Sequence, residues 1–310
     1  LEYLRHAPIE TKCHPRHGDR SCDFPRHSGF YIFDWAFAYG KSPNTEFLVQ
    51  ISRMLDYWWS KRDAQGLLLT ESRSPDDDAV FSGVKAPGQT LSLAASLLES
   101  AGLLSAQEPA IAEEMSKRAN VYIDGFFSAP HDIEKGIFLL SYKEGDDTEF
   151  RKAYSKKTNV SPTEAGRMPI WGSAYGIWPA CYIALTALCA HRMTKDPRLL
   201  QWAQAAGDCY LKQPFPQDKI IPAMDAGLGI ELLGDLYDVT GEEKWIKGGL
   251  GLAENLINIY LDNDLPRGAS GTDWYESQMG PGFLLHGLAR IALLAEDREN
   301  CPLEADYTAR

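Results

Sequence analysis

The feature that most constrains the fold is a short pattern that recurs three times along the chain. The three copies align without gaps as residues 39–47, 191–199 and 237–245. Each copy joins the apolar end of one segment to a polar turn and then to a new amphipathic segment. Turns that recur between helix-forming segments indicate repeated helical hairpins. The pattern therefore predicts an all-α chain built from consecutive hairpins.

The turns carry signals for the start of a helix. A serine or threonine occupies the same position in all three copies. Pro43 and Pro197 suit the first turn of the following helix, because proline is tolerated there. Thr240 and Glu243 have the spacing of a capping box. We therefore expect each turn to be followed at once by a helix.

The segments that follow the turns have apolar residues on one face only, which is typical of helices that lie on a surface. A similar segment runs from about residue 108 to 127. The apolar stripes are Phe47, Ile51, Leu55 and Trp58; Trp245, Gly249, Leu252 and Leu256; and Ile111, Met115, Tyr122 and Phe126.

The segments that precede the turns differ, because they contain few charges and many Gly, Ala and Ser residues. Such helices are buried on nearly all sides and pack closely. They span residues 27–39, 88–104, 172–190, 224–237 and 279–295. Alternation of fully buried and half-buried helices requires an inner and an outer layer. The chain supplies four inner–outer hairpins and a fifth inner helix.

This alternation, over residues 27–296, resembles the six-hairpin glycosidase-like superfamily of (α/α) toroids. The resemblance implies an (α/α) toroid, here incomplete, with about four hairpins and a further inner helix. It also implies activity on carbohydrate, because the superfamily contains glycoside hydrolases, polysaccharide lyases and sugar epimerases. We expect one domain over residues 1–310, in which residues 1–26 form an irregular segment that contributes to the cleft.

Charge and hydropathy exclude several partners. The net charge of −12 argues against nucleic acid, which requires a basic surface. The uncharged stretch 168–190 contains Pro169 and Pro179, so we interpret it as a buried helix with its approach loop and expect no membrane span. The sequence begins with Leu1, and no charged segment followed by an apolar one comes after it. We therefore expect a secreted or periplasmic protein whose signal peptide has been removed, or an excised domain.

Two cysteines near the start of the chain allow two interpretations. Cys13 and Cys22 could form a disulfide in an exported protein. Together with His14 and His17 they could instead bind zinc, but their spacing fits no standard zinc module. We predict no metal and no other cofactor.

Long connections between hairpins are where a cleft would be built, because long loops on a rigid scaffold carry function. Each of them leads to the first turn of an inner helix, where free N–H groups favour anionic ligands. The connections are residues 1–26, 63–87, 128–170, 213–222 and 262–277.

The residues around the first inner helix suit β-elimination on a uronic acid. Arg26 would neutralise the substrate carboxylate, and His27 and Tyr31, four residues apart on one helical face, would transfer protons. Toroidal lyases use His, Tyr, Asn and Arg residues of this kind. The sequence therefore favours a polysaccharide lyase that cleaves a uronic-acid-containing glycan. In the alternative interpretation, His27 caps the helix and Tyr31 fills the core.

A second set of residues suits a glycoside hydrolase, because inverting and retaining hydrolases need paired carboxylates. Asp225 and Glu276 are candidate catalytic residues, with Asp273 as a further carboxylate; Asp225 and Asp273 could each instead cap a helix. The predicted substrate-binding residues are Arg20, Gln89, Trp171, Tyr175, Asp273, Trp274, Tyr275 and Gln278. A sugar epimerase and a non-catalytic carbohydrate-binding toroid remain as alternatives. In each case the expected partner is an oligosaccharide or polysaccharide, and the oligomeric state stays open.

Overall fold

A computed structural model describes residues 24–70, 80, 83–173, 177–275 and 280–307. Over these residues the chain forms ten α-helices, and a short antiparallel pair of strands, β1 (Leu69–Thr70) and β2 (Val84–Lys85). The helices are α1 (Pro25–Lys41), α2 (Thr45–Ser60), α3 (Pro87–Leu104), α4 (Pro109–Ser128), α5 (Thr148–Thr158), α6 (Ala180–Thr194), α7 (Pro197–Lys212), α8 (Ala223–Thr240), α9 (Glu243–Tyr260) and α10 (Pro281–Glu296). The predicted all-α class is confirmed. So are the four consecutive hairpins α1/α2, α3/α4, α6/α7 and α8/α9, followed by α10.

The chain divides into two compact units. The first contains the described residues up to His131 and returns for Leu139–Arg167. The second contains Asp132–Phe138 and the described residues from Met168 onward. Phe138 is completely buried in the second unit, where its ring packs edge-on against Trp202. The second unit therefore uses a short segment that the first unit brackets in sequence.

In the first unit, α1 packs beside α3, while α2 packs on α1 and α4 packs on α3. Residues 87–97 of α3 are all buried, as expected of an inner helix. The outer helix α2 buries only one stripe, which includes Ile51, Leu55 and Trp58. The sequence pattern thus predicts correctly which helix of each hairpin is enclosed.

In the second unit, α8 lies between α6 and α10, and the outer helices α7 and α9 pack behind them. Residues 180–190 of α6 and 225–236 of α8 are all buried. The outer helix α9 buries Trp245, Gly249 and Leu256 along one face. Both inner helices contain several small residues, which permits this close packing.

Three local predictions were wrong. The third inner helix begins at Ala180 rather than near Gly172, because Pro179 disfavours a helical conformation in the residue before it. Pro43 lies before the N-cap Asn44, although Pro197 does occupy the first turn of α7. Thr240 forms no capping box, since it ends α8 and its hydroxyl accepts from the backbone N–H of Glu242.

The last inner helix, α10, is less enclosed than its composition predicts. Leu284, Gly287, Ile291 and Leu294 are buried on the side that faces α8 and α9. Leu285, on another face, is 45% exposed. In the described chain α10 is therefore buried along one face and exposed along another. No helix in the described ranges combines the length and apolar character needed to cross a membrane.

We expect Gly227→Ala to destabilise the protein by about 1–3 kcal/mol, because a Cβ at this position of α8 would lie 2.4 Å from backbone atoms of Phe283 and Leu284. Gly251→Ala in α9 is the matched control, since its Cβ would meet no atom within 4 Å. Alanine favours helix over glycine, so this control should gain up to about 1 kcal/mol. Urea unfolding of both variants measures the difference, and equal effects would contradict close packing of α8.

Candidate functional site

Asp225 is one of the buried carboxylates in the described part of the second unit. It lies in the first turn of α8 and is only 1% exposed. Its Oδ2 accepts a hydrogen bond from the backbone N–H of Ser173 at 2.7 Å, and its Oδ1 accepts from the hydroxyl of Tyr182 at 3.0 Å. The N-cap of the helix is Pro222, so Asp225 is not the capping residue.

Burial raises the pKa of Asp225 to about 6, because removing a carboxylate from water penalises its charged form. The hydrogen bonds from Ser173 and Tyr182 act in the opposite direction and lower the pKa. The carboxyl group therefore holds its proton in mildly acidic solution. Once the proton has left, two donors and the N-terminal end of a helix stabilise the negative charge.

The segment that presents Ser173 to Asp225 is fixed by the outer helix α7. Tyr210 of α7 donates its hydroxyl hydrogen to the carbonyl of Ile170 and accepts from the backbone N–H of Cys181. The indole N–H of Trp171 donates to the carbonyl of Gln213 at 3.2 Å, and its ring packs edge-on against Tyr210. Trp171 is only 7% exposed. Its ring therefore packs in the core beside Tyr210, and its role in substrate binding stays a prediction.

The segment before α8 is held by the loop that follows α9. The hydroxyl of Tyr260 and the backbone N–H of Ser270 both donate to the carbonyl of Ile221, at 2.7 and 2.9 Å. The backbone N–H of Ala223 donates to the carbonyl of Gly268 at 2.8 Å. These bonds fix the first turn of α8 and hence the position of Asp225.

The loop of residues 261–275, named the Arg267 loop below, is organised by one guanidinium. Arg267 donates to both carboxylate oxygens of Asp262, and its Nη1 lies 2.7 Å from Oδ1 of Asp273. The same guanidinium lies over the ring of Tyr275, 5.4 Å from its centre. Trp274, which lies between Asp273 and Tyr275 in the sequence, is 54% exposed. The loop thus combines a fixed backbone with an exposed aromatic ring.

In the first unit, the structure brings together four of the predicted residues at the N-terminal ends of α1 and α3. Arg26, His27 and Tyr31 are half-buried in the first two turns of α1. The backbone N–H of Arg26 donates to Oε1 of Gln89 in α3, at 3.3 Å. The His27 ring stacks on Phe30 with 6.3 Å between ring centres. His27 and Tyr31 lie four residues apart in the same helix, as expected from the sequence.

Several predicted residues lie outside the described part of the chain. They are Arg20, Tyr175, Glu276 and Gln278, together with the cysteines and histidines of the alternative zinc site. In the described ranges, no group of three or more His, Cys, Asp or Glu side chains is arranged to hold a metal ion. The absence of a cofactor stays a prediction.

The second unit also contains an ionic cluster that was not expected. The cluster comprises Arg192, Glu231, Asp235, Asp238, His286, Arg290 and Tyr307. Arg290 is at its centre, 1% exposed, with Nη1 2.9 Å from Oε1 of Glu231. The imidazole Nδ1 of His286 lies 3.2 Å from the other oxygen of Glu231. These contacts link α6, α8, α10 and the segment that follows α10.

Sequence patterns did not identify Tyr182 or Arg267. Tyr182 occurs in an uncharged helix, where an aromatic residue indicates core packing. Arg267 occurs in a glycine-containing stretch between two aspartates, Asp262 and Asp273. That spacing of opposite charges was the available signal for an ion-paired loop.

No protein-family model matches the chain, and no curated protein sequence matches it either. Solved structures do match. D-Mannose isomerase has 14% sequence identity and a TM-score of 0.59, over 89% of this chain and 73% of the isomerase. A GH76 α-mannanase from Bacteroides thetaiotaomicron has 14% identity and a TM-score of 0.51, over 90% and 74% of the two chains.

An unsaturated glucuronyl hydrolase specific for heparin is similar at 11% identity, with a TM-score of 0.52 over 87% of this chain and 75% of the hydrolase. Identities this low show the fold alone. The chain shares the fold of these three proteins, an all-α arrangement of helical hairpins, as the hairpin pattern predicts.

Proposed function

We propose that this chain is a carbohydrate-active enzyme, and specifically a glycoside hydrolase in which Asp225 donates a proton to the glycosidic oxygen. The observation that carries the proposal is the raised pKa, about 6, of a buried carboxyl group at the start of α8. A general acid must hold its proton until the bond breaks; an ordinary aspartate loses it above about pH 4, whereas Asp225 holds it up to about pH 6. This proposal reverses the order in which the sequence ranks lyase and hydrolase.

The surroundings of Asp225 suit both halves of such a proton transfer. Burial keeps the carboxyl group neutral while the substrate binds. When the proton passes to the leaving oxygen, the N–H of Ser173 and the hydroxyl of Tyr182 stabilise the new carboxylate. Cleavage then needs a second group to activate water or to attack the sugar, as in inverting and retaining hydrolases. The sequence offers Glu276 for that role.

The similar folds support activity on sugars. By their names, the three solved proteins act on mannose, on α-mannan and on unsaturated glucuronyl groups, so two of them cleave glycosides.

A polysaccharide lyase is the second candidate, and the cluster at the start of α1 favours it. Arg26 and Gln89 could bind a uronate carboxylate there, while His27 and Tyr31 could remove and return the proton. The contact between Arg26 and Gln89 keeps the two helix starts together.

Product analysis separates the candidates. The protein is incubated with α-mannan, xylan, pectate, alginate and heparan sulfate, and the products are examined by ultraviolet absorbance and mass spectrometry. A hydrolase adds one water at each cleaved bond and forms no unsaturated sugar. An unsaturated uronate at the new chain end would identify a lyase and overturn the proposal. In that case His27→Ala and Tyr31→Phe should each lower turnover about 10²–10⁴-fold without changing the melting temperature.

We expect kcat/KM on the cleaved glycan to fall above about pH 6, because Asp225 must be protonated to act as an acid. Tyr182→Phe removes a hydrogen bond that favours the ionised carboxylate, so the pKa of Asp225 rises further. The decrease in kcat/KM should therefore occur at a higher pH in this variant. Tyr237→Phe, in the same helix α8, should not change the pH at which kcat/KM decreases. An unchanged pH profile in Tyr182→Phe would show that a group other than Asp225 causes the decrease.

A further inference from the structure

Exposed apolar side chains occur at the two loops that flank the start of α8. Ile220 is 56% exposed, Trp274 is 54% exposed and Leu265 is 47% exposed. Single exposed apolar residues are normal on a protein surface and need no explanation. Trp274 differs from such residues because the backbone beneath it is fixed from several directions.

The backbone of Trp274 is tied to the start of α8 through two hydrogen bonds. Its carbonyl accepts from the N–H of Gly268 at 2.6 Å, and the carbonyl of Gly268 accepts from the N–H of Ala223 at 2.8 Å. Paired backbone positions lie about 5 Å apart, and two further helical residues lead to Asp225. The Cα atom of Trp274 therefore lies within about 15 Å of the Cα atom of Asp225.

Arg267 fixes the residues on both sides of Trp274. It pairs with Asp273 at 2.7 Å, and its guanidinium covers the ring of Tyr275. The hydroxyl of Tyr275 also accepts from Nδ2 of Asn263 at 2.6 Å. A loop held in this way loses little conformational entropy when a ligand binds to its exposed ring.

We propose that Trp274 is a platform on which a sugar ring of the substrate stacks. The inference rests on the proposed function and adds to it a surface that binds the glycan. A tryptophan face matches the apolar C–H face of a pyranose ring, and the exposed carboxylate of Asp273 beside it can accept from sugar hydroxyls.

Affinity electrophoresis in gels that contain each of the five polysaccharides named above tests the platform. Wild-type protein should be retarded by the glycan that it cleaves. Trp274→Ala should weaken that retention about tenfold in Kd, which corresponds to about 1.4 kcal/mol. Arg267→Gln should weaken it in the same direction, because the loop would lose its central ion pairs. Ile257→Ala is the control, since Ile257 is 45% exposed on the outer face of α9.

The outcomes separate this inference from the proposed function. Asp225→Asn should lose turnover and keep its retention, because it removes the acid and not the platform. Loss of retention in Trp274→Ala but not in Ile257→Ala supports the inference, whatever the products are. Equal retention of these two variants overturns it, and so does a wild-type protein that none of the five glycans retards.

Discussion

Asp225→Asn is expected to give a protein that is inactive and yet more stable than the wild type above pH 6. Turnover should fall about 10²–10⁴-fold, because the amide has no proton to donate. The amide keeps both hydrogen bonds of the carboxylate: its oxygen can accept from Ser173 N–H, and its NH₂ can donate to the hydroxyl oxygen of Tyr182. The loss of activity would therefore not reflect unfolding.

The gain in stability follows from the raised pKa of Asp225. In the folded protein this pKa is about 6, whereas an unburied aspartate has 3.8. Between these values the folded protein holds a proton that the unfolded chain has lost, so stability falls as pH rises from about 4 to 6. A difference of about two pKa units corresponds to roughly 3 kcal/mol in the free energy of unfolding. The wild type has lost this stability once the pH is above about 6. The asparagine variant has no titrating group there and should not show this decline.

Urea unfolding at pH 4 and pH 8 measures the effect. The stability difference between variant and wild type should be about 3 kcal/mol more favourable to the variant at pH 8. Asp218→Asn, exposed in the loop before α8, is the control and should change neither stability nor turnover. Parallel pH profiles for Asp225→Asn and wild type would refute a buried neutral carboxyl group, and full turnover would refute its role as the acid.

Arg290→Met should produce the largest loss of stability, about 3–5 kcal/mol, because it removes the central cation of the ionic cluster. The side chains of Arg290 and Glu231 are each only 2% exposed, and that of Asp235 is fully buried. Without Arg290, Glu231 would keep a buried negative charge with only His286 as a partner of opposite sign. Methionine fills similar space, so loss of charge dominates over loss of packing.

The control for this variant is Lys247→Met, which breaks the pair with Glu243 in α9. Both of those side chains are more than 70% exposed, so the change should stay within about 0.5 kcal/mol. If Arg290→Met does not fold, Arg290→Lys keeps a positive charge and should be destabilised less. Acid should reduce the deficit of either variant, because protonation neutralises the carboxylates. A deficit no larger than that of Lys247→Met would exclude a stabilising cluster.

Hairpin order and helix burial could be predicted because they depend on local periodicity. Residues such as Ile51, Leu55 and Trp58 repeat with the helical period, and the enclosed helix α8 shows its burial by its many Gly, Ala and Leu residues. The polar helix α5 was missed because it buries little more than Phe150 and Tyr154. Its charged sequence resembles that of a loop.

The candidate site could be predicted only in part, since its partners are distant in sequence. Asp225 was identified from its position after a loop, but Tyr182 lies 43 residues earlier and reaches it only through packing of α6 beside α8. The raised pKa depends on burial from several elements, which no motif encodes. The ionic cluster was missed for the same reason: His286 meets Glu231 across 55 residues of chain.

The segment Asp132–Phe138 has a consequence for the order in which the protein can fold. Phe138 leaves the ribosome 64 residues before Trp202, its partner in the core of the second unit. At about 5–20 residues per second, that interval lasts roughly 3–13 s. During this time the chain up to His131 and the stretch from Leu139 to Arg167 can already fold into the first unit, while the side chain of Phe138 remains exposed to solvent. The two units are thus interleaved in synthesis, and a chain cut between Arg167 and Met168 would separate Trp202 from the ring that completes its packing.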